Sequence, residues 1–292
     1  QEGLPYLDGI TIHYIPDDVV LSAAFRNGEV DMLYGTSSQL IRELSDSYQI
    51  TVMDFPNIAV NAWFSSKNED SPLSDPLVRK AVCYAIDMPA IITSLYSAEY
   101  KPTNQLSYEG SLCWNDDIEG YEYNPEKAKE LLKEAGYENG FETTYFVESN
   151  ETYAVMAEAI QAYLAAVGID MKIDLIDPAR YFENVMLNSW GDGIAQISYT
   201  YTPDELCSIR RMLDPATSIF AHSIDYPQDY STMLKEMVSS DTIDTAIERF
   251  KAIDDYLIDD LCLLMPLFVN NVAVTQQDYV CLLYTSDAAD DK

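Results

Sequence analysis

The sequence predicts an α/β fold, and three observations carry that prediction. Strand, helix and strand patterns succeed one another between residues 141 and 176, an order that places the two strands parallel through a right-handed crossover. Helical apolar periodicities start at Asp, Asn or Pro and stop at Gly, as capping chemistry requires. Hydrophobic residues make up 48% of the 292 and aromatic ones 12%, enough to bury a large core despite a formal net charge of -32. With 49 acidic against 17 basic side chains, the chain lacks the clustered cations that phosphate recognition needs, which excludes a nucleic-acid partner. Its longest apolar run, Leu261 to Val269, is broken by Pro266 and falls short of the roughly 18 residues of a membrane-spanning helix.

Taken in order, Ile10 to Ile15 reads as a strand, and Pro16-Asp17-Asp18 stops it and caps a helix from Val19 to Asn27 that Gly28 ends. Val30 to Tyr34 is a second strand. Ile50 to Phe64 holds a third and a fourth, with Pro56-Asn57 as the turn between them. Ser74-Asp75-Pro76 opens a long helix in which Leu77, Val78, Ala81, Val82, Ala85 and Ile86 recur at three and four residues, with a break at Pro89. Lys101 to Tyr123 shows little periodicity and reads as an extended loop. Asn124-Pro125 caps a helix with a charged outer face that Gly136 closes. Phe141 to Val147 is a strand, Tyr153 to Val167 a helix closed by Gly168, and Ile169 to Ile176 a strand. Asp177-Pro178 starts a helix to about Asn188, and Ile194 to Tyr201 is a further strand. Helices over 204–213, 230–239 and 242–260 and a strand pair within Leu263 to Val274 complete the series.

Cys281 to Asp290 back-translates to a transposase adapter of the kind used in preparing sequencing libraries, so 281–292 is set aside as adapter-derived. That removes Asp287, Asp290, Asp291 and Lys292, takes the charge from -32 to -30, and leaves Cys83, Cys113, Cys207 and Cys262 of the five cysteines. No CxxC pair occurs, which argues against a zinc site. Cys83 and Cys262 sit in apolar stretches and read as small buried hydrophobes, while Cys113 and Cys207 could pair as a disulfide if the fold brings them together.

Catalytic signals are sparse. His13 and His222 are far apart in sequence, leaving few imidazole bases or metal ligands. His13 lies in a strand pattern and reads as structural. Neither G-x-S-x-G nor a glycine-rich phosphate loop occurs. The acid pairs Asp17-Asp18, Asp116-Asp117, Asp254-Asp255 and Asp259-Asp260 could supply a glycosidase's two carboxylates, but neighbours on a helix point apart, so they read as solvated faces. Asn115 to Glu126 matches a calcium loop only loosely: Asn115 replaces the first Asp, Glu122 takes an apolar slot, and no helix precedes it. An acidic loop is the better reading. No catalytic residue, metal or cofactor is therefore expected. The aromatic content says more. Tyr199 and Tyr201 stand at a strand end followed by Thr202-Pro203-Asp204-Glu205, rings and a carboxylate where α/β folds place ligands. Packing of a loop is the alternative for these tyrosines, and the residues alone leave the two even.

Four ordered blocks resemble family 5 of the bacterial extracellular solute-binding proteins, which deliver oligopeptides, dipeptides, nickel and related solutes to ABC importers. They are Pro5-Tyr6-Leu7-Asp8-Gly9-Ile10, Ala24-Phe25-Arg26-Asn27-Gly28-Glu29-Val30-Asp31, the run Asp75 to Asp87 (DPLVRKAVCYAID), and Tyr123 to Tyr137 (YNPEKAKELLKEAGY). The resemblance implies a two-lobed, class II clamshell of which an N-terminal portion and the C-terminal end are absent. Residues 1–73 would belong to the first lobe, 74–262 form the second, ligand-binding lobe, and 263–280 return to the first. Closure around a ligand would then set affinity. Where the family has a Trp, an acidic anchor and Asp-Pro, this chain has Tyr199-Thr200-Tyr201-Thr202-Pro203-Asp204-Glu205. Tyr199 replaces the Trp, Thr202 stands where peptide binders place an Asp for the peptide amine, and Asp204 is its expected substitute.

The resemblance implies capture without chemistry: a monomeric substrate-binding subunit, periplasmic or lipid-anchored at the cell surface. Its partners would be a peptide or related small solute and the membrane permease subunits. Tyr199 and Tyr201 would stack on the ligand, with Thr202 beside them and Asp204 meeting a cationic group. Two other readings are a secreted carboxylate-dependent hydrolase, which would turn over a glycan or peptide, and a calcium-stabilised adhesion module, which would melt earlier in a chelator.

Overall fold

The computed structural model describes residues 8–201, 206, 212–216, 218 and 222–280. The chain divides into two compact units, one of 1–53 with 272–292 and one of 54–271. The smaller unit holds α1 (Asp18–Arg26), β1 (Met32–Tyr34) and α2 (Ser38–Ser45). Asp17 caps α1 by accepting from Val20 N–H, and Ser37 caps α2 by accepting from Leu40 N–H. The helix over 38–45 has no counterpart in the sequence reading. A small core of Phe25, Leu33, Leu40 and Leu44 joins these elements, with the Tyr48 ring 4.7 Å from that of Phe25.

Long strands thread both units. β2 (Gln49–Phe64) is one continuous strand, not two strands about a turn at Pro56-Asn57. Its ladder with β6 (Ile194–Thr200) starts at Ile58, opposite Thr200. Pro56 therefore precedes that ladder, where its missing N–H costs no bond to β6. β7 (Leu264–Gln276) is likewise single where a strand pair was expected, and its last residues pair antiparallel with β1, Met32 opposite Gln276.

In the larger unit β7 neighbours β2, followed by β6, β4 (Phe141–Glu148) and β5 (Ile169–Ile176). β2 and β6 are antiparallel; β4 is parallel to both β6 and β5, as the crossover rule requires of strands joined through α6 (Glu151–Ala165). A short β3 (Tyr100–Pro102), overlapping the start of what reads in sequence as loop, pairs with β7.

Alternation along β2 sends Val60, Ala62 and Phe64 into one core and Ala59 and Trp63 into another. The first core is covered by α3 (Pro76–Ala85), α4 (Met88–Leu95), α5 (Pro125–Glu134) and α6. The second is covered by α7 (Pro178–Tyr181) with its π-helical continuation Phe182–Leu187, α8 (Gln228–Val238), and α9 (Ile243–Asp255), which also ends in a π-helical turn, Tyr256–Asp260. The break in the long helix expected after residue 76 falls at Ile86-Asp87, not at Pro89. Asp87 caps α4 by accepting from Ala90 N–H, and Pro89 sits in the first turn, where a proline fits. All three tryptophans, Trp63, Trp114 and Trp190, belong to this unit.

Residues 10–15 form no strand. Ile10, Ile12 and Tyr14 are 77%, 90% and 90% exposed, so the alternation that suggests a strand is present without a pairing partner, which a strand needs to persist.

Candidate functional site

The site is built at the C-terminal end of β6, in the larger unit. Residues two apart on a strand share a face, which sets Tyr199 and Tyr201 side by side with ring centroids 5.3 Å apart at 67°. Tyr108 meets Tyr201 edge-on at 5.0 Å. Both strand tyrosines are buried, 7% and 4% exposed, and both hydroxyls donate to one acceptor, the Leu106 carbonyl, at 2.6 Å each. The Leu106 N–H in turn donates to the Asp254 carboxylate on α9, 3.3 and 3.2 Å from its two oxygens. The two peptide groups that flank Leu106 in the 103–121 segment are thus both held.

That segment is ordered by its own side chains. Gln105 Nε2 donates to the Asn115 carbonyl and Gln105 Oε1 accepts from the Asn115 N–H, at 3.0 and 2.8 Å, while Asn104 Nδ2 donates to the Ile118 carbonyl at 2.6 Å. Gln105, Leu106 and Ser107 have no exposed surface. Further along, Tyr226 and Tyr230 stack at 4.8 Å and the Tyr230 hydroxyl donates to the Leu213 carbonyl at 2.6 Å. Burial pushes the Tyr230 phenol well above its ordinary value, so it stays a donor. Around Gln196 of β6, the Tyr145 hydroxyl, from the opposite core, bonds to the side-chain oxygen, and the Tyr181 hydroxyl, from the core of Tyr199 and Tyr201, donates to the carbonyl.

Of the residues that sequence places in the site, Tyr199 and Tyr201 come together as described, whereas Thr202 and Asp204 lie outside the described residues, as does Cys207 of the expected Cys113–Cys207 pair. Asp254, taken in sequence as part of a solvated acid pair, is fully buried. The signal for it was present: Asp254 falls on the stripe of Phe250, Ile253 and Leu257 that α9 buries. Leu106 carries no such signal, because its role rests on backbone groups.

The calcium-like loop starts at Asn115, whose backbone Gln105 already holds. Glu126, the would-be closing ligand of the calcium-like loop, pairs with Lys129 at 2.9 Å, and Asp116 accepts from the Trp114 indole at 3.0 Å. No group of three or more metal-ligating side chains occurs among the described residues. His13 and His222 are both exposed. An open polar groove is lined by Lys67, Asn68, Ser189, Gly191, Asp192 and Ser223, but Asp192 is committed to the hydroxyls of Ser65 and Ser71.

Comparison with known proteins places this architecture. The sequence profile "Bacterial extracellular solute-binding proteins, family 5 Middle" matches residues 1–205. The chain belongs to this family. Family 5 proteins serve ABC importers as binders of peptides or related solutes and are transport components rather than enzymes. The chain is 32% identical over 181 residues to the glutathione-binding protein GsiB of Escherichia coli K12, covering 62% of this chain and 35% of that one. It is 31% identical over 173 residues to heme-binding protein A of Haemophilus influenzae, covering 58% and 31%. It therefore spans about a third of the length of these relatives.

Among solved structures, NikA from Brucella suis in complex with Fe(III)-EDTA superposes with a TM-score of 0.80 at 20% identity, covering 93% of this chain and 58% of that one. DppA from Helicobacter pylori in complex with the peptide STSA gives 0.73 at 25% identity, covering 90% and 51%. The family 5 chain thus has the α/β fold of the periplasmic-binding-protein-like solute binders. No helix among its described residues is long and apolar enough to cross a membrane.

Proposed function

We propose that this chain is the ligand-holding part of a substrate-binding subunit that captures a peptide or related small solute outside the cytoplasmic membrane and hands it to an ABC permease. The observation that carries the reading is the family match over residues 1–205, which runs through the tyrosine-bearing end of β6. The structure of DppA with a peptide bound favours a peptide, and that of NikA with Fe(III)-EDTA keeps other solutes within the class. The protein works by binding alone, without a cofactor, as a monomer in the periplasm or lipid-anchored at the cell surface.

In this reading the rings of Tyr199 and Tyr201 form an apolar wall. Their hydroxyls are engaged with Leu106 and the two residues are only 7% and 4% exposed, so they back the site from beneath, and orientation must come from neighbours. Thr202 and Asp204 follow on the same chain segment, and Asp204 meets the ligand's cationic group. A charge-assisted hydrogen bond of that kind is worth about 1.5–3 kcal/mol. Asp204→Asn, introduced into the full-length protein, is therefore expected to weaken amine-bearing peptides roughly 10- to 150-fold in calorimetric titrations, while leaving ligands without a cation unchanged. Equal affinity for every ligand tested would remove Asp204 from the site. Native mass spectrometry of the full-length protein, purified without added ligand, tests the wider reading. Released peptide masses support peptide capture, a single non-peptide mass points to a narrow solute importer, and hydrolysis products accumulating from an added peptide would overturn the assignment.

A further inference from the structure

Cys83 and Cys262 are 179 residues apart in sequence, yet their sulfurs are 3.6 Å from each other with no exposed surface on either residue. The two lie on well-fixed segments of the larger unit. Cys83 is on the buried face of α3. Cys262 stands just before β7 with a left-handed φ of 46°, the one non-glycine residue with positive φ among those described, a conformation that persists only where surroundings impose it.

Arg79, one turn before Cys83, supplies that constraint. The residue is 3% exposed, and its guanidinium donates to the carbonyls of Leu261 and Cys262 at 2.6 and 2.8 Å, and to those of Leu73 and Ser74 at 2.7 and 2.8 Å. Leu261 N–H and Leu263 N–H donate back to the carbonyls of Tyr256 and Leu257. A single buried cation thus holds the helix bearing one cysteine against the backbone bearing the other. Closing the remaining gap to a sulfur–sulfur bond of about 2.05 Å takes a shift of about 1.5 Å, within reach of side-chain rotation.

We propose that Cys83 and Cys262 form a structural disulfide when the chain folds in an oxidising compartment, tying α3 to the start of β7. The exchange uses a small-molecule or protein disulfide as oxidant. The thiolate of one cysteine, Cys262 for example, attacks one sulfur of the oxidant, forming a mixed disulfide and releasing the first reduced thiol. The thiolate of Cys83 then attacks the Cys262 sulfur, forming the internal bond and releasing the second. The oxidant takes up two electrons, and the two cysteine protons leave on the released thiols. Because neither sulfur is exposed in the folded chain, the oxidant reacts before packing over the pair is complete. Burial drives the Cys83 thiol well up; for Cys262, burial is outweighed by hydrogen bonds with Cys83 and Tyr121 and by the Arg79 charge, which hold it below the ordinary thiol value. Those directions belong to the packed pair and do not select which thiolate attacks before packing.

The test is to refold the 292-residue chain in a cystamine–cysteamine redox buffer, trap free thiols with N-ethylmaleimide under denaturing conditions, and map the peptides. The expected result is a cross-linked peptide pair containing Cys83 and Cys262 that disappears on reduction. The oxidised chain is also expected to melt roughly 5–15 °C above the reduced one, a difference absent from Cys83→Ala and Cys262→Ala chains. Maleimide on both residues without reduction, a bond from either to another cysteine, or equal melting of the two redox forms would each overturn the proposal. The same trapping on chain exported to an oxidising compartment and recovered folded reads the bond without a refolding step, with the same outcomes decisive.

Discussion

Leu106 shows how a residue of no chemical distinction becomes the centre of a site. Its carbonyl takes two tyrosine hydroxyls and its N–H a buried carboxylate, so removal of one hydroxyl leaves the carbonyl satisfied by the other. Tyr199→Phe and Tyr201→Phe should therefore each cost less than about 1 kcal/mol in urea unfolding, and the double variant more than their sum by at least about 0.5 kcal/mol. Strict additivity would mean that the shared carbonyl does not couple them. At this scale the sequence was half legible. A strand period puts two tyrosines on one face, and a helical stripe at Phe250, Ile253 and Leu257 includes Asp254, but reading that aspartate as solvated missed the stripe. What no pattern carries is a backbone group as partner, since every residue has one and only the fold chooses between them.

Elements followed their local signals where tertiary pairing agreed with them. The caps at Asp17, Asn124 and Asp177 each accept from an N–H of the helix that follows, and the strand–helix–strand over 141–176 is parallel as expected. Proline misled twice for one reason: it forbids a bond only where one is needed, and Pro56 precedes the β6 ladder while Pro89 sits in the first turn of a helix. Residues 10–15 failed in the opposite way, having the alternation of a strand and no neighbour to pair with.

The parallel crossover also depends on a close backbone approach. Gly140 stands just before β4 with φ +76°, and a Cβ there would lie 1.8 Å from the Gly168 carbonyl oxygen, beside the start of β5. Gly140→Ala is expected to cost about 2 kcal/mol or more, against about 1 kcal/mol for Gly136→Ala, where φ is +86° and the space is open. Equal losses in thermal unfolding would show that the approach between the two turns can relax.

For the whole molecule the dominant quantity is charge. At -32 over 292 residues, long-range repulsion opposes folding, and the ion pairs found among the described residues, such as Arg26–Glu43 and Lys172–Glu142, are largely exposed and worth little. Raising ionic strength from about 0.01 to 0.15 M shortens the screening length from about 30 to 8 Å, so the melting temperature should rise. A flat or falling melting temperature would show that local pairs outweigh the net charge. The fold class and family were legible at this scale because apolar periodicity and four ordered blocks survive divergence. The identity of the solute was not, because it depends on a few side chains, of which Thr202 and Asp204 are the expected ones.

The placement of the indoles has a practical corollary for spectroscopy. With Trp63, Trp114 and Trp190 all in the larger unit, the smaller one is silent in tryptophan emission, and a fluorescence trace is a record of residues 54–271 alone. Circular dichroism sees helices α1 and α2 as well. A mismatch between the two transitions would therefore be the direct signature of the smaller unit melting on its own, visible without any label or substitution.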